Sequence, residues 1–347
     1  MNKMKIAIPL LGFGRAGGQR VLSRLASELS HLGHEVIIIA PDDGSIPYYP
    51  TDAKLIRTKK HRTKFRFFNL IANYYNIYSS IKNIRPDIAI ANHHLTAYIV
   101  SFLPRKIKKY YYIQAYEVVF GQNYFTRLVA YISYFMPLKR IVNSKTILPN
   151  RLNDFVGVVP AGIDLKIFYP REYEIDSRKN IGIIGRKEKY KGTTDIIELL
   201  CDWGKDKDII VNVSIYLSDE NKNLMIDNGI KFNYYEIKND NQLAEFYRLN
   251  DLVIATGLVE DGAFHYPCAE AMACGALVIS NYAPLVTTKS SYKLEKFSAE
   301  SLKEKLNLYF NSSYASIQEE IKSNIAIVND YSWTNVSQKF ESYITEK

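Results

Sequence analysis

Two cations five residues apart, Arg186 and Lys191, stand in Gly185-Arg186-Lys187-Glu188-Lys189-Tyr190-Lys191-Gly192. Arg186 follows an apolar run that reads as a strand, and Lys191 precedes a helical pattern. Such a pair can neutralise a diphosphate, Arg by a forked contact and Lys as a point charge. The same spacing also suits an exposed basic turn. A second stretch runs from Glu260 through Pro267-Cys268-Ala269-Glu270 to Ser280. Pro267 suits a helix start, and helix N-terminal amides suit a diphosphate. Glu270, expected in that helix's first turn, can hold ribose hydroxyls or simply complement the helix dipole. The turn Gly12-Phe13-Gly14-Arg15-Ala16-Gly17-Gly18 lets backbone amides, those of Gly17 and Gly18 among them, approach a phosphate. A tight turn with close helix packing explains it equally well. It is not the dinucleotide fingerprint, because Leu32-Gly33-His34-Glu35 stands where an acid should close the second strand. Neighbouring His93 and His94 cannot share one helix face, and no metal site is expected.

The elements that must position these residues alternate strand and helix. Lys5–Leu10, Glu35–Ala40, Ile88–Ala91 and Tyr110–Ile113 are short apolar runs of the buried parallel-strand kind. Val21, Leu22, Leu25, Ala26, Leu29 and Leu32 repeat at helical spacing, and Gly33 ends that helix. The pattern restarts after Pro170. Arg171–Asn180 is polar and reads as a linker, Ile181–Gly185 as a fresh strand, Thr194–Trp203 as a helix and Ile209–Tyr216 as a strand. Leu252–Ala255 and Leu277–Ser280 flank a helix at Pro267–Cys274, and Ser332–Thr345 reads as a terminal helix. The fold expected is α/β, with two doubly wound Rossmann-like domains, residues 1–170 and 171–330, and a closing segment, 331–347. In such sheets ligands bind beyond the strands' carboxyl ends, so a cleft between the two domains is the expected site.

Taken together and in order, these pieces resemble a retaining glycosyltransferase of the GT-B fold, of the family-4 kind. The matching residues are the N-terminal Gly-rich turn, Val159-Pro160-Ala161-Gly162-Ile163-Asp164 to Pro170, Gly185-Arg186 with Lys191-Gly192, Leu243-Ala244-Glu245-Phe246-Tyr247, and Pro267 to Gly275. The resemblance implies metal-independent sugar transfer from a nucleotide-diphosphate sugar to a glycan or lipid-linked acceptor, with no cofactor. It makes Arg186 and Lys191 the catalytic cations. It assigns donor binding to Gly17, Gly18, Arg186, Lys191, His265, Tyr266 and Glu270, and it makes residues 331–347 a helix that crosses back to the first domain. Two positions depart from the family pattern. Gly262 stands where a sugar-binding Glu is usual, which leaves Glu260 or Asp261 as substitutes, and Gln114 stands where many relatives have His. Tyr111 to Glu117 and the Tyr266-Pro267 step are similar to a rhamnosyltransferase subgroup, which implies a deoxythymidine-diphosphate sugar. The rival readings are a GT-B epimerase and a GT-B subunit that binds without turnover.

Composition narrows the setting. No run of about 18 apolar residues lacks charge, which excludes a helical membrane span. Cys201, Cys268 and Cys274 have neither disulfide nor metal-ligand spacing, and a cytoplasmic setting is expected. The net charge is +9. It is divided unevenly: 23 basic against 9 acidic residues up to Leu165, then 22 against 27. Basic clusters at Arg57–Arg66 and Arg105–Lys109 adjoin Phe65, Phe67, Phe68 and Tyr110–Tyr112. They point to an anionic membrane surface at the inner face or to an ordinary solvated face. Nucleic acid is not expected as a partner.

Overall fold

The computed structural model describes residues 3–14, 17–44, 46–172 and 178–346. Arg15 and Ala16 of the Gly-rich turn and residues 173–177 of the expected linker therefore lie outside the described residues, as do the side chains of Arg66 and Phe67. The chain divides into two units, Met1–Gly162 with Trp333–Lys347, and Ile163–Ser332.

The first unit is built on strands β1 (Lys5–Pro9), β2 (Glu35–Pro41), β3 (Lys54–Thr58), β4 (Ile88–Ala91), β5 (Lys108–Ile113), β6 (Lys139–Val142) and β7 (Gly157–Val158). Its helices are α1 (Gly17–His31), α2 (Arg66–Ile84), α3 (His94–Ser101) and α4 (Tyr124–Ser133). All strand pairs are parallel, in the order β3-β2-β1-β4-β5-β6-β7. The second unit repeats the scheme. Strands β8 (Asn180–Ile184), β9 (Ile210–Ser214), β10 (Lys231–Tyr235), β11 (Leu252–Ile254) and β12 (Leu277–Ile279) lie in the order β10-β9-β8-β11-β12, again all parallel. The helices are α5 (Thr193–Trp203), α6 (Asp219–Asp227), α7 (Asp240–Leu249), α8 (Tyr266–Ala273), α9 (Ala299–Asn311) and α10 (Tyr314–Asn329).

The strands are buried on both faces, which is why they read as continuous apolar runs. In β11, Leu252 and Ile254 join the core beneath α5 and α9, and Val253 joins the opposite core beneath α7 and α8. In each sheet the strand order reverses once, between β1 and β4 and between β8 and β11. A crevice opens at such a reversal because the two following crossovers leave to opposite sides. The turns after β1 and β4, and after β8 and β11, are therefore where each unit can hold a ligand.

The expected boundary at 170/171 moves to 162/163. The physical reason is packing: Ile163 and Phe168 are buried in the core of the second unit, with Leu165 and Ile167 against them. Arg171 also belongs there, donating to the carbonyls of Asn250 and Gly275. Helix α11 (Trp333–Thr345) packs in the first unit, against α1. A Cβ on Gly162 would lie 2.5 Å from the Trp333 ring, and one on Gly157 2.4 Å from the Tyr343 ring. Both glycines thus leave room for α11. His34 Nε2 meets Glu341 at 2.8 Å in the same buried interface. Cys201, Cys268 and Cys274 are buried and unpaired. Among the described residues, no helix is long and apolar enough to cross a membrane.

Candidate functional site

In the second unit, β8 ends at Ile184 and the chain passes through Gly185 to Arg186. A Cβ on Gly185 would lie 1.8 Å from the Tyr216 carbonyl oxygen, so only glycine fits here. The Arg186 backbone N–H donates to Thr193 Oγ1 at 2.9 Å, which pins the strand's end to the first residue of α5. Between them Lys189–Lys191 makes a single tight turn, and Gly192, with φ 73°, hands the chain to the helix from the left-handed region. The half-buried Arg186 guanidinium has no hydrogen-bond or ion-pair partner among the described residues. Lys191 is also half-buried, and its Nζ stands 5.2 Å from the centre of the Tyr190 ring. Burial lowers the Lys191 ammonium's pKa; Glu260 and Glu188 oppose the shift, and Arg186 adds to it.

The turn after β11 comes to the same place. The Leu258 N–H donates to the Tyr190 carbonyl at 3.0 Å, joining the two turns. From Gly257 to His265 the loop is tied to the segment after β12. Asn281 exchanges side-chain hydrogen bonds with the Gly257 backbone, and the Tyr282 hydroxyl donates to the Val259 carbonyl. His265 precedes α8, whose N-terminus has no side-chain cap. Its buried Nδ1 has no hydrogen-bond partner among the described residues. Burial, then the charges of Lys191 and Arg186, hold its imidazole well below the usual range, so His265 is neutral beside two cations.

The fold thus gathers Arg186, Lys191 and His265 at one reversal point, with Glu260 near Lys191. Tyr266 and Pro267 open α8. Glu270 is the fifth residue of α8, in its second turn rather than its first, because the helix begins at Tyr266. It is only 1% exposed and accepts from the Tyr247 hydroxyl at 3.2 Å. That pair keeps the Tyr247 phenol neutral, through burial first and the Glu270 charge second. Of the two acids considered for the missing Glu, Asp261 is held by Asn281 Nδ2 at 2.6 Å. Glu260 has φ 62°, a strained conformation for a non-glycine residue. Gly262 follows at φ 77°, and its N–H donates to the Asn281 carbonyl.

Gly17 and Gly18 belong to the first unit, at the start of α1. The Gln19 side chain folds back over their turn, donating to the Gly12 carbonyl and accepting from the Gly14 N–H. Gln114 donates to the Gly18 carbonyl at 3.3 Å. This turn and the ends of β4 and β5 enclose a cavity of about 700 Å³ lined by Gln19, Asn92, His93, His94, Gln114 and Glu117, among others. The sequence reading set the two histidines aside. The fold brings Glu117, 23 residues on, against both of them: its Oε2 lies 2.5 Å from His94 Nδ1 and 3.3 Å from His93 Nε2. A Glu four residues beyond a buried strand end was the available signal.

The basic clusters are less free than their sequence suggests. Lys60 pairs with Asp43 at 3.0 Å, and Arg57 with Asp42 at 3.5 Å. Lys109 donates to the carbonyls of Ser101 and Leu103 where α3 ends. Lys59, Arg62, Lys64, Arg105 and Lys106 remain exposed. Apolar exposure is densest in two places: beside the first cluster on α2 and its flank, at Phe65, Phe68, Leu70, Ile71 and Tyr75, and on α4 and its flanks, at Phe120, Tyr124 (81% exposed), Phe125 (71%), Leu128, Ile132 and Phe135.

Comparison with known proteins bears on the fold. Over the whole chain the fold is shared with sucrose-phosphate synthase from Thermosynechococcus elongatus (TM-score 0.75, 17% identity, 98% of each chain covered). It is shared with a glycosyltransferase from Rickettsia africae (0.74, 18%, 99% of this chain and 98% of that one). It is shared too with HepE of Anabaena, solved in complex with UDP (0.74, 13%, 99% and 100%). No curated protein matches in sequence. The chain has the GT-B fold, and its residues 15–137 match the family described as Glycosyltransferase Family 4.

Proposed function

We propose that this protein is a glycosyltransferase that moves a sugar from a nucleotide-diphosphate donor to a hydroxyl acceptor, with retention of anomeric configuration. The observation that carries the proposal is the pair Arg186 and Lys191, whose side chains make no hydrogen bond or ion pair among the described residues, beside the likewise unbonded His265 Nδ1, at the strand-order reversal of the second unit. Negative charge grows on the diphosphate as the anomeric bond breaks. Preorganised cations and helix N-terminal amides stabilise that charge without reorganising. They do so without a metal ion, so turnover survives excess EDTA. The match at residues 15–137 and UDP in the HepE complex support the reading. Thermal shift with nucleotide sugars tests it: a ligand at 100 times its Kd stabilises by about 2.7 kcal/mol. Uridine, deoxythymidine, guanosine and adenosine donors separate the possibilities, a deoxythymidine-diphosphate deoxyhexose among them. No shift with any of them would sink the proposal.

Glu270 is assigned to the donor ribose. Contacts to ribose are equal in ground and transition states, so their loss raises KM and leaves kcat similar. Glu270→Gln should therefore weaken nucleoside-diphosphate binding roughly tenfold, the low end of a hydrogen bond to a charged group. A variant that loses stability but keeps its nucleotide affinity would confine Glu270 to supporting Tyr247.

The acceptor assigned is lipid-linked, met at an anionic membrane surface. Phe120 both lines the first unit's cavity and is half exposed, and the apolar face of α4 continues from it. A lipid-linked chain can lie along that face while its polar end enters the cavity. Sedimentation with vesicles tests this. Binding to anionic vesicles should fall when Tyr124 and Phe125 are both replaced by Ser, and should fade with salt as charge is screened. Equal behaviour with and without vesicles would point to a soluble glycan.

A further inference from the structure

We propose that the first unit binds the phosphate headgroup of an anionic lipid in a cation-lined cavity at the amino ends of β5, β6 and β7, held by Arg105, Lys139 and Arg140. The inference rests on the membrane reading above, and its site is separate from the donor and acceptor sites.

The place follows from the topology. The chain between α3 and β5, the chain between α4 and β6, and the residues before β7 enclose a cavity of about 960 Å³. The cavity that holds Gln114 and Glu117 lies beyond the carboxyl ends of β1, β4 and β5 instead. The six residues of β5 put roughly 17 Å between the two. Five basic side chains line the second cavity, Arg105, Lys108, Lys109, Lys139 and Arg140, against one acid, Asp154.

Local structure already employs two of the five. Lys108 Nζ donates to the Glu346 carbonyl at 2.9 Å, and Lys109 holds the carbonyls where α3 ends. The other three are left for a ligand. The Arg140 side chain is only 11% exposed; its Nη2 meets Asp154, a fully exposed carboxylate, at 3.2 Å. A pair with so exposed an acid contributes little. Its buried Nη1 has no hydrogen-bond partner among the described residues, and a buried donor left without an acceptor is costly. Arg105 makes no hydrogen bond or ion pair among the described residues, and Lys139 makes only a 6.0 Å approach to the Tyr110 ring. The cations also crowd one another: burial, then the charge of Arg105, lowers the Lys109 ammonium's pKa. A phosphate answers all three. The guanidinium fork matches its oxygens, and lysine adds a point charge.

The surroundings of these cations are apolar, and that selects a lipid. Phe102 (73% exposed) and Phe135 (60%) line the cavity and stand out from it. Phe135 also ends the apolar stripe of α4. Tyr124, Leu128, Ile132 and Phe135 recur at intervals of four, four and three, so they share one side of the helix and its exit. Phe120 lines the first cavity at the other end of the stripe. An apolar band therefore runs along α4 from one cavity to the other. Laid on a bilayer, such a band enters the interface while basic groups beside it meet the headgroups. A free phosphate ion gains nothing from Phe102 and Phe135.

Sedimentation of the full chain with vesicles tests the site. The probes are vesicles of phosphatidylcholine with about one third phosphatidylglycerol, and of phosphatidylcholine alone. The wild type should bind the first far better than the second. A basic group near an anionic surface raises affinity roughly fivefold, so Arg105→Gln with Lys139→Gln should weaken binding roughly 25-fold. Both side chains are exposed, and the variant should melt as the wild type does. Arg140→Lys keeps the charge and loses the fork. It should weaken binding roughly tenfold, the low end for a hydrogen bond to a charged group, a change that a surface sensing charge alone would not register. Lys59→Gln with Lys64→Gln removes equal charge from the other exposed cluster and should cost markedly less. Equal losses from the two pairs, with Arg140→Lys at wild type, would overturn the site and leave a diffuse basic face. Inorganic phosphate at matched ionic strength separates the sources: a Tm rise in the wild type but not in Arg140→Lys, without vesicle binding, would give the cavity to a soluble anion and overturn the lipid. Vesicle binding lost only when Tyr124 and Phe125 become Ser would overturn this site and leave the acceptor reading standing. Wild-type indifference to both vesicle types would remove the membrane reading itself.

Discussion

Replacing Arg186 by Ala should lower kcat/KM by about 10²–10³-fold, and replacing Lys191 by Ala should do the same, with the fold intact. The magnitude is that of losing one preorganised donor from a developing anion. The stability side is argued from the contacts. Among the described residues the Arg186 guanidinium has no bond to lose, and the Arg186 hydrogen bond to Thr193 is made by the backbone and survives truncation. Lys191 offers its approach to the Tyr190 ring and the attraction of Glu260 and Glu188, and against these its truncation removes the cost of burying an ammonium and the repulsion from Arg186. Substitutions without such contacts usually stay within about 0.5 kcal/mol, a Tm change of roughly 2 °C in a domain of this size. Arg186→Lys separates charge from geometry: it keeps the cation and loses the fork, so its rate should fall between the two. On the proposed reading, in which both cations meet one diphosphate, the double variant should lose less than the two single losses combined. Turnover near wild type in either single variant would place the diphosphate elsewhere.

Much of this arrangement was legible in the sequence because buried parallel strands are plain apolar runs. β1, β4, β8, β11 and β12 all lie within a residue or two of where their apolar runs placed them. The edge strands β3 and β10 were not legible. β3 is Lys-Leu-Ile-Arg-Thr and β10 is Lys-Phe-Asn-Tyr-Tyr, and most of their residues are exposed or half-exposed. Strands this exposed bury too little to show an apolar run, and exposed charge on an edge guards against pairing with other chains, whereas β12, an edge strand that is covered, does show one. The domain boundary was misplaced for a related reason. Residues 163–170 carry no helix or strand to mark them, and only their burial assigns them to the second unit. At the site, Arg186 and Lys191 were visible because five residues of local chain set their separation. Glu117 was not, because its partnership with His94 depends on β4 and β5 lying side by side, a tertiary fact that spacing does not carry. Glu270 shows the third case. Its residue type and helix were expected, but its burial against Tyr247 was not, because that contact comes from α7.

Gly185→Ala should damage the proposed donor site by another route. The added Cβ would sit 1.8 Å from the Tyr216 carbonyl oxygen and 3.1 Å from Val213 Cγ1. A flexible side chain could swing away from such a contact, but a backbone carbonyl at a strand's end cannot. The Gly185 N–H is also bonded to the Ser214 carbonyl at 2.9 Å, so the end of β8 and the chain after β9 must part for the methyl group to fit. Overpacking of this kind costs about 1–3 kcal/mol, and the contact here is at the severe end. A fall in Tm of roughly 5–10 °C is expected for a unit of this size. Arg186 is the next residue, and it moves with the strand's end. Nucleotide affinity should therefore fall even at temperatures where the variant is fully folded, which a purely global loss of stability would not produce. Gly18→Ala is the matched control. Its Cβ would meet only the Gln114 side chain, at 3.4 Å, so the neighbour needs to yield little and Tm should hold within about 2 °C. A Gly185→Ala protein with wild-type Tm and wild-type nucleotide affinity would mean that β8 does not end against Tyr216, and that Arg186 is not held where the diphosphate reading requires it.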